Sequence, residues 1–271
     1  MNQMPKVVTF DGEARSGKGT IVQYTKDYLR DELGYRVMLV DRGQTFRTLV
    51  VATTKAGVDL DNPDEIDDFL GDEKNIASCT QSVKDVYRME KAAREALLYT
   101  NKVGEDSAKV GSRPASQVFV ANLTKKWLSD ARKEGFEVVL IDGRALVAIA
   151  SEMHDDGLCD FKMGLYFRCD AEVGARRTLG YATTKYEDLS LGQKNEVDEL
   201  IAQIGQRNQR DFDREVERLT PPTGAAVWHL PSSPPKATGG LRPMVIVDTS
   251  ASMTKLEMSR PVAELVGQSL A

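Results

Sequence analysis

Val7-Val8-Thr9-Phe10-Asp11-Gly12-Glu13-Ala14-Arg15-Ser16-Gly17-Lys18-Gly19-Thr20 decides how the rest of this chain is read. Val7 to Phe10 is a short apolar run, and it ends in a turn bounded by glycines. A helical pattern follows, with Ile21, Tyr24, Tyr28 and Leu29 at i, i+3, i+7 and i+8. Strand, glycine-rich loop and helix, in that order, are the context of a phosphate-binding loop. Successive backbone N–H groups and the positive end of the helix surround an anion there. Glycines let the backbone close on phosphate without a Cβ in the way. Lys18 adds a full charge that reaches the outer phosphates.

The pattern G-x-x-x-x-G-K-G-T fixes five residues: Gly12, Gly17, Lys18, Gly19 and Thr20. Gly19 stands where the commonest phosphate loops have Ser or Thr, and Thr20 follows one place later. Glu13 and Arg15 put long charged side chains inside the loop.

The bulk numbers bound the class. The chain has 271 residues, 41% hydrophobic and 28% charged, as expected of a soluble globular protein. No apolar run is long enough to span a bilayer, and the N-terminal residues show no signal-peptide pattern. A cytoplasmic protein is expected. Cys79, Cys159 and Cys169 are scattered and suit buried thiols in a reducing compartment. With only His154 and His229, a histidine-based metal site has little to work with. A net charge of −5 argues against a nucleic-acid polymer as partner. Anionic small molecules are expected as partners, held by local positive charge, and a monomer is expected.

Strands and helices alternate along most of the chain. Val37–Val40 reads as a second strand, followed by Asp41-Arg42-Gly43-Gln44-Thr45-Phe46-Arg47 and a helix through Ala56. Ligands bind at the carboxyl ends of parallel strands, where Asp41 and Arg47 fall. Asp59–Glu73 reads as an acidic, solvated helix face, and 75–98 as helical. Tyr99–Gly104 breaks the pattern and Gly111–Pro114 reads as loop, so 59–115 forms an insert between sheet elements. A helix over 115–134 carries Leu123, Trp127 and Ala131 as a core stripe. Phe136–Ile141 is the third strand, ending in Asp142-Gly143-Arg144, and Lys162–Phe167 is the fourth. After Asp170 a helix contains Arg176 and Arg177. Tyr181–Lys194 is polar and irregular, and about 176–195 reads as a lid.

A helix over 196–218 places Arg207, Arg210, Arg214 and Arg218 at i, i+3, i+7 and i+11, with Asp211 among them. Positive charge is left over on that face. Pro221–Pro243 is rich in proline, glycine and serine and reads as an exposed, mobile loop. Met244–Thr249 is the fifth strand and 254–270 the closing helix.

A phosphate loop with a remote set of arginines suggests phosphoryl transfer between two bound phosphates, catalysed by positioning and charge neutralisation. Gly12, Arg15, Ser16, Gly17, Lys18, Gly19 and Thr20 hold the donor. Arg47, Arg144 and Arg214 come from three segments and suit an acceptor phosphate, because a guanidinium binds phosphate oxygens bidentately. Arg176 and Arg177 lie beside the lid, which excludes water from the transfer. ATP with Mg2+ is the expected donor. Thr20 and Asp142 are its candidate metal ligands, directly or through water, and Asp41 is a near neighbour.

These residues resemble the bacterial cytidylate (CMP/dCMP) kinases of the nucleoside monophosphate kinase group. The resemblance is best at Asp11–Thr20, Asp41–Arg47, Asp142–Arg144, Asp170–Arg177, Ile204–Arg214 and Val245–Ser250. It implies a P-loop NTPase-type three-layer α/β/α fold with a five-stranded parallel sheet, a nucleotide-binding insert and a lid. The core would be 1–58 and 116–271, and the acceptor-binding insert 59–115. It implies that Arg47, Arg144 and Arg214 bind the acceptor α-phosphate and that Arg207 and Asp211 approach its ribose. Asp41 counts among the substrate contacts, and Lys18, Arg144, Arg207 and Arg214 carry catalysis. Pro114-Ala115-Ser116-Gln117-Val118 resembles the family's Ala-Ala-Ser-Gln-Val, so Ser116 would meet cytosine, and Lys125 falls at the position of a base-binding arginine. Arg176 and Arg177 match the lid arginines near ATP.

Three positions depart from the family. Ala145 replaces an aspartate that hydrogen-bonds the base, Arg42 replaces a serine, and Arg15 replaces a loop glycine. Two alternatives stay open: a kinase for a different nucleotide or phosphorylated acceptor, and a nucleotide-binding module without turnover.

Overall fold

The computed structural model describes residues 3–214, 218–235 and 243–271. Its strands are Lys6–Gly12 (β1), Val37–Asp41 (β2), Val138–Asp142 (β3), Asp160–Arg168 (β4), Ala226–His229 (β5) and Met244–Asp248 (β6). They form one sheet in the order β2-β3-β1-β4-β6-β5. β1 pairs in parallel with β3 and β4, and β6 pairs in parallel with β4 and β5. The central strand β1 is buried along almost its whole length, which is why it reads as an unbroken apolar run rather than an alternating one.

The chain divides into two compact units. One is Met1–Val40 with Leu128–Ala271, and it holds the sheet. The other is Asp41–Trp127. The sequence places the insert at 59–115, whereas the second unit also takes in the helix after β2 and most of the helix over 114–134.

In the first unit, Lys18–Asp31 (α1) and Lys255–Leu270 (α11) pack through a shared core. It includes Ile21, Val22 and Leu29 against Met258, Val262 and Val266 over the sheet residues Val8, Phe10, Leu165 and Val247. α11 starts with a capping box between Thr254 and Glu257. Leu146–Asp155 (α8), Ala171–Thr178 (α9) and Leu191–Asp213 (α10) complete the unit. In the second unit, Arg42–Lys55 (α2), Pro63–Gly71 (α3), Glu73–Arg88 (α4), Lys91–Leu98 (α5) and Asn101–Gly111 (α6) join the first part of Pro114–Glu134 (α7). Leu49, Ile66, Val83, Val110, Phe119 and Val120 close its own core.

Four sequence expectations are corrected. The sheet has six strands among the described residues, not five. Ala226–His229 lies within the stretch expected to be a mobile loop. Its four residues are too short a run to outweigh flanking Pro and Gly, yet Trp228 is buried in the core and its Nε1 donates to Ser232 O at 2.8 Å. Gly239 and Gly240 lie outside the described residues.

α10 runs over Leu191–Asp213 rather than 196–218. It starts earlier because Ser190 and Gln193 form a capping box, within a stretch that looked irregular. It ends before Arg214, so Arg218 does not extend the arginine face; 215–217 lie outside the described residues. Arg207 and Arg210 are exposed while Asp211 is buried. Finally, the break at Tyr99–Gly104 shrinks to two residues. Thr100 accepts from Val103 N–H and starts α6 at once, so glycine at 104 sits inside a helix.

Candidate active site

The phosphate loop joins the C-terminal end of β1 to α1. Gly12 has φ 136°, and a Cβ there would run into the Phe167 backbone of β4. Gly17 has φ 81° and precedes the first turn of α1. The first N–H groups of the loop are already used. Gly12 N–H donates to Asp11 Oδ1 (2.7 Å), Glu13 N–H to Phe167 O (2.8 Å) and Ala14 N–H to Asn208 Oδ1 (2.8 Å). The next N–H with a partner in the chain, among the described residues, is that of Thr20, which bonds back to Gly17 O at 3.1 Å. The intervening backbone at the start of a helix is an anion cradle. Ser16 is buried and its hydroxyl donates to Glu13 O (2.9 Å), while Gly19 and Thr20 are exposed. Arg15 is exposed and adopts φ 58°, a left-handed conformation that disfavours side chains. Its carbonyl oxygen lies against Gly174 of α9, where a Cβ would approach it to 3.0 Å.

Lys18 bonds Asp142, at the end of β3, and donates to Gly143 O at 3.1 Å. Arg144, two residues on, donates through Nε to Asp211 Oδ2 (3.0 Å) and through Nη1 to Gly12 O. Asp211 Oδ1 accepts from Arg214 Nη2 at 2.9 Å. Arg144, Asp211 and Arg214 therefore form one group, joined to the loop at Gly12. Arg207 is exposed on α10, a turn before Asp211.

The predicted lid arginines are both engaged. Arg176 donates to Glu172 Oε1 (3.0 Å) and Thr184 O (2.6 Å). Arg177 donates to Thr249 O and to Ala251 O (2.7 Å). Thr249 in turn donates to Ser16 O at 2.9 Å, so the segment after β6 touches both the lid arginine and the phosphate loop.

In the second unit, Asp41 caps α2 by accepting from Gln44 N–H (2.8 Å). Its own N–H donates to the buried Tyr87 hydroxyl, also at 2.8 Å. Arg47 donates to Leu98 O (2.9 Å) and lies 4.5 Å from the centre of the Tyr99 ring. Arg42 is almost fully buried. Ser116 is fully buried, and its hydroxyl has no hydrogen-bond partner among the described residues. Such an orphan is costly unless something supplies a partner. Lys125 lies further along α7. Thus Lys18 with Asp142, and Arg144 with Asp211 and Arg214, are brought together in the first unit, while Asp41, Arg47, Ser116 and Lys125 belong to the second.

Sequence reasoning missed two supports. Asp11 is buried, and besides Gly12 N–H it accepts from Leu146 N–H (3.0 Å), thereby capping α8 from outside. Burial raises its carboxyl above the usual range, against the opposing pull of those N–H groups and Lys18. An aspartate just before the loop glycine was visible, but not its distant partner. The other support is Asn208, hidden among the charged residues of α10. The carboxyl pKa of Glu13, the residue before Ala14, is likewise raised by burial. Ala145 has φ 53° and starts α8 without any side-chain cap.

The family model for cytidylate kinase matches residues 8–229. The cytidylate kinase of Pseudomonas putida strain KT2440 is 28% identical over 229 residues, spanning 83% of this chain and 88% of the relative. That of Mesorhizobium japonicum is 28% identical over 223 residues (82% and 84%), and that of Shewanella pealeana 26% over 231 (84% and 88%). The match extends from β1 through the end of β5, and on that ground the chain belongs to the cytidylate kinase family and is a nucleoside monophosphate kinase.

Proposed function

We propose that this chain transfers the γ-phosphoryl group of ATP to CMP or dCMP. The observation that carries the reading is a pair of anion sites on one loop. The open backbone from Arg15 to Gly19, with Lys18 at the helix start, suits the donor triphosphate. The Arg144–Asp211–Arg214 group, bonded to Gly12 O, suits the acceptor phosphate. By the family resemblance, Arg207 and Asp211 of the first unit would serve the ribose, and Arg47, Ser116 and Lys125 of the second would serve the phosphate and base of the same nucleotide.

Catalysis then needs little covalent chemistry from the protein. Lys18 exchanges Asp142 for phosphate oxygens, and Arg144 and Arg214 orient the attacking phosphate. Asp142 and the Thr20 hydroxyl suit Mg2+, which prefers few protein ligands and leaves room for water and phosphate oxygens. Held there, the ion would supply neutralisation of the phosphate charge. Arg176 and Arg177 reach ATP by leaving Thr184 O and the Thr249 and Ala251 carbonyls, and lid closure excludes water.

A coupled ADP-release assay across ribo- and deoxynucleoside monophosphates tests this. CMP and dCMP should release ADP, and Lys18→Ala should lower turnover by at least about a hundredfold while the protein stays folded. ADP release with a different acceptor only would favour the second reading, a kinase with another substrate. Ala145 favours that reading, since a methyl group stands where the family's aspartate meets the base. ATP stabilisation without ADP release from any acceptor would leave a binding module.

A further inference from the structure

α10 holds the phosphate loop at two points. Asn208 Oδ1 accepts the Ala14 N–H at 2.8 Å. One turn on, Asp211 holds Arg144, whose Nη1 donates to Gly12 O. The same Asp211 holds Arg214. Ala14 is buried in a small core with Val197 and Ile204 of α10 and Ala175 of α9. The loop's entry, Gly12 to Ala14, is therefore fixed by the helix whose C-terminal end leads into Arg214. Asn208 takes the last N–H before the open stretch, so it sets where the anion cradle begins.

We propose that Asn208 is a positioning residue that couples the two substrates: through its bond to Ala14, α10 transmits acceptor binding at Arg144 and Arg214 to the donor loop. The acceptor phosphate competes with Asp211 for both guanidiniums. Any shift of α10 that follows moves Asn208, and Ala14 with it. ATP and acceptor then raise each other's affinity by one common factor. The inference rests on the kinase reading for the acceptor but not for the tether itself, which ATP binding alone can test.

The test uses the full chain with Asn208→Leu, which cannot accept the N–H, and Asn208→Asp, which can. Dissociation constants of the non-transferable β,γ-imido analogue of ATP are measured by calorimetry with and without CMP, beside steady-state KM and kcat with ATP itself. Wild type should bind ATP more tightly with CMP present. Asn208→Leu should weaken ATP binding about tenfold, the worth of one partly buried hydrogen bond. It should also bring the ratio with and without CMP close to one. Asn208→Asp should keep the ratio. Should Asn208→Leu not fold, Asn208→Ser, too short to reach Ala14, replaces it. The inference is overturned by a wild-type ratio of one, by an unchanged ratio in the Leu or Ser variant, or by equal loss in Leu and Asp variants. Failure of the kinase reading shows separately, as wild-type ATP binding without ADP release from any acceptor.

Discussion

Asp211 lies between two arginines and meets Arg144 Nε at 3.0 Å from a side chain only 7% exposed. Its other oxygen takes Arg214, so one carboxylate orients both guanidiniums. Removing one partner of such a buried group leaves uncompensated charge, which costs far more than the net worth of the pair. Asp211→Asn should destabilise the fold by about 3 kcal/mol in urea unfolding. On the proposed reading, in which both affected arginines serve the acceptor, it should also raise KM for the acceptor nucleotide more than KM for ATP.

Arg15 gives a prediction of opposite character. Its φ of 58° costs about 1 kcal/mol for an L side chain. Arg15→Gly relieves that strain but loosens the unfolded chain by a similar amount, so the melting temperature should stay within a few degrees. ATP binding should nevertheless weaken about tenfold, as expected on losing a charge-assisted bond to phosphate. An unchanged KM for ATP would remove Arg15 from the donor site.

Ala145 also stands at positive φ, 53°, where aspartate is better tolerated than alanine. It begins α8 without a capping side chain of its own, Leu146 N–H being taken by Asp11. Ala145→Asp should leave stability unchanged or raise it by a few tenths of a kcal/mol through the helix dipole. Discrimination for CMP over UMP, read as the ratio of kcat/KM values, should rise about tenfold, since hydrogen bonds to the base dominate such selection.

Asp11 sets a pH dependence. Burial raises its pKa in the folded protein, so the native state holds a proton more tightly than the unfolded chain. The stability it contributes therefore increases as pH falls from neutral toward the unfolded carboxylate value of about 4, and is lost as pH rises through the folded pKa. Urea unfolding of wild type and Asp11→Asn at pH 7 and pH 5 should show wild type gaining on the variant at the lower pH. A difference independent of pH would mean that Asp11 titrates alike in both states.

Much of this was local enough to read directly. Val7–Phe10 before Gly12 and the helical period after Lys18 announce strand, loop and helix, because backbone sterics and burial period act within a few residues. Strand ends at Asp41 and Asp142 were legible for the same reason, and so were Arg207 and Arg210 on α10, although the helix stops before Arg214. Ala226–His229 was not. Four residues carry too little pattern, and their strand exists because β6 offers a free edge and the core a place for Trp228. The start of α10 was hidden because its capping box lies in a polar stretch.

The sequence by itself determined that a phosphate-binding loop opens a parallel α/β protein and that arginines wait at other strand and helix ends. Tertiary structure decided which groups they meet. Lys18 finds Asp142 across 124 positions, Arg144 finds Asp211 across 67 and Ala14 finds Asn208 across 194. Such pairings depend on how sheet order and helix packing bring distant segments together, and no periodicity or spacing encodes them.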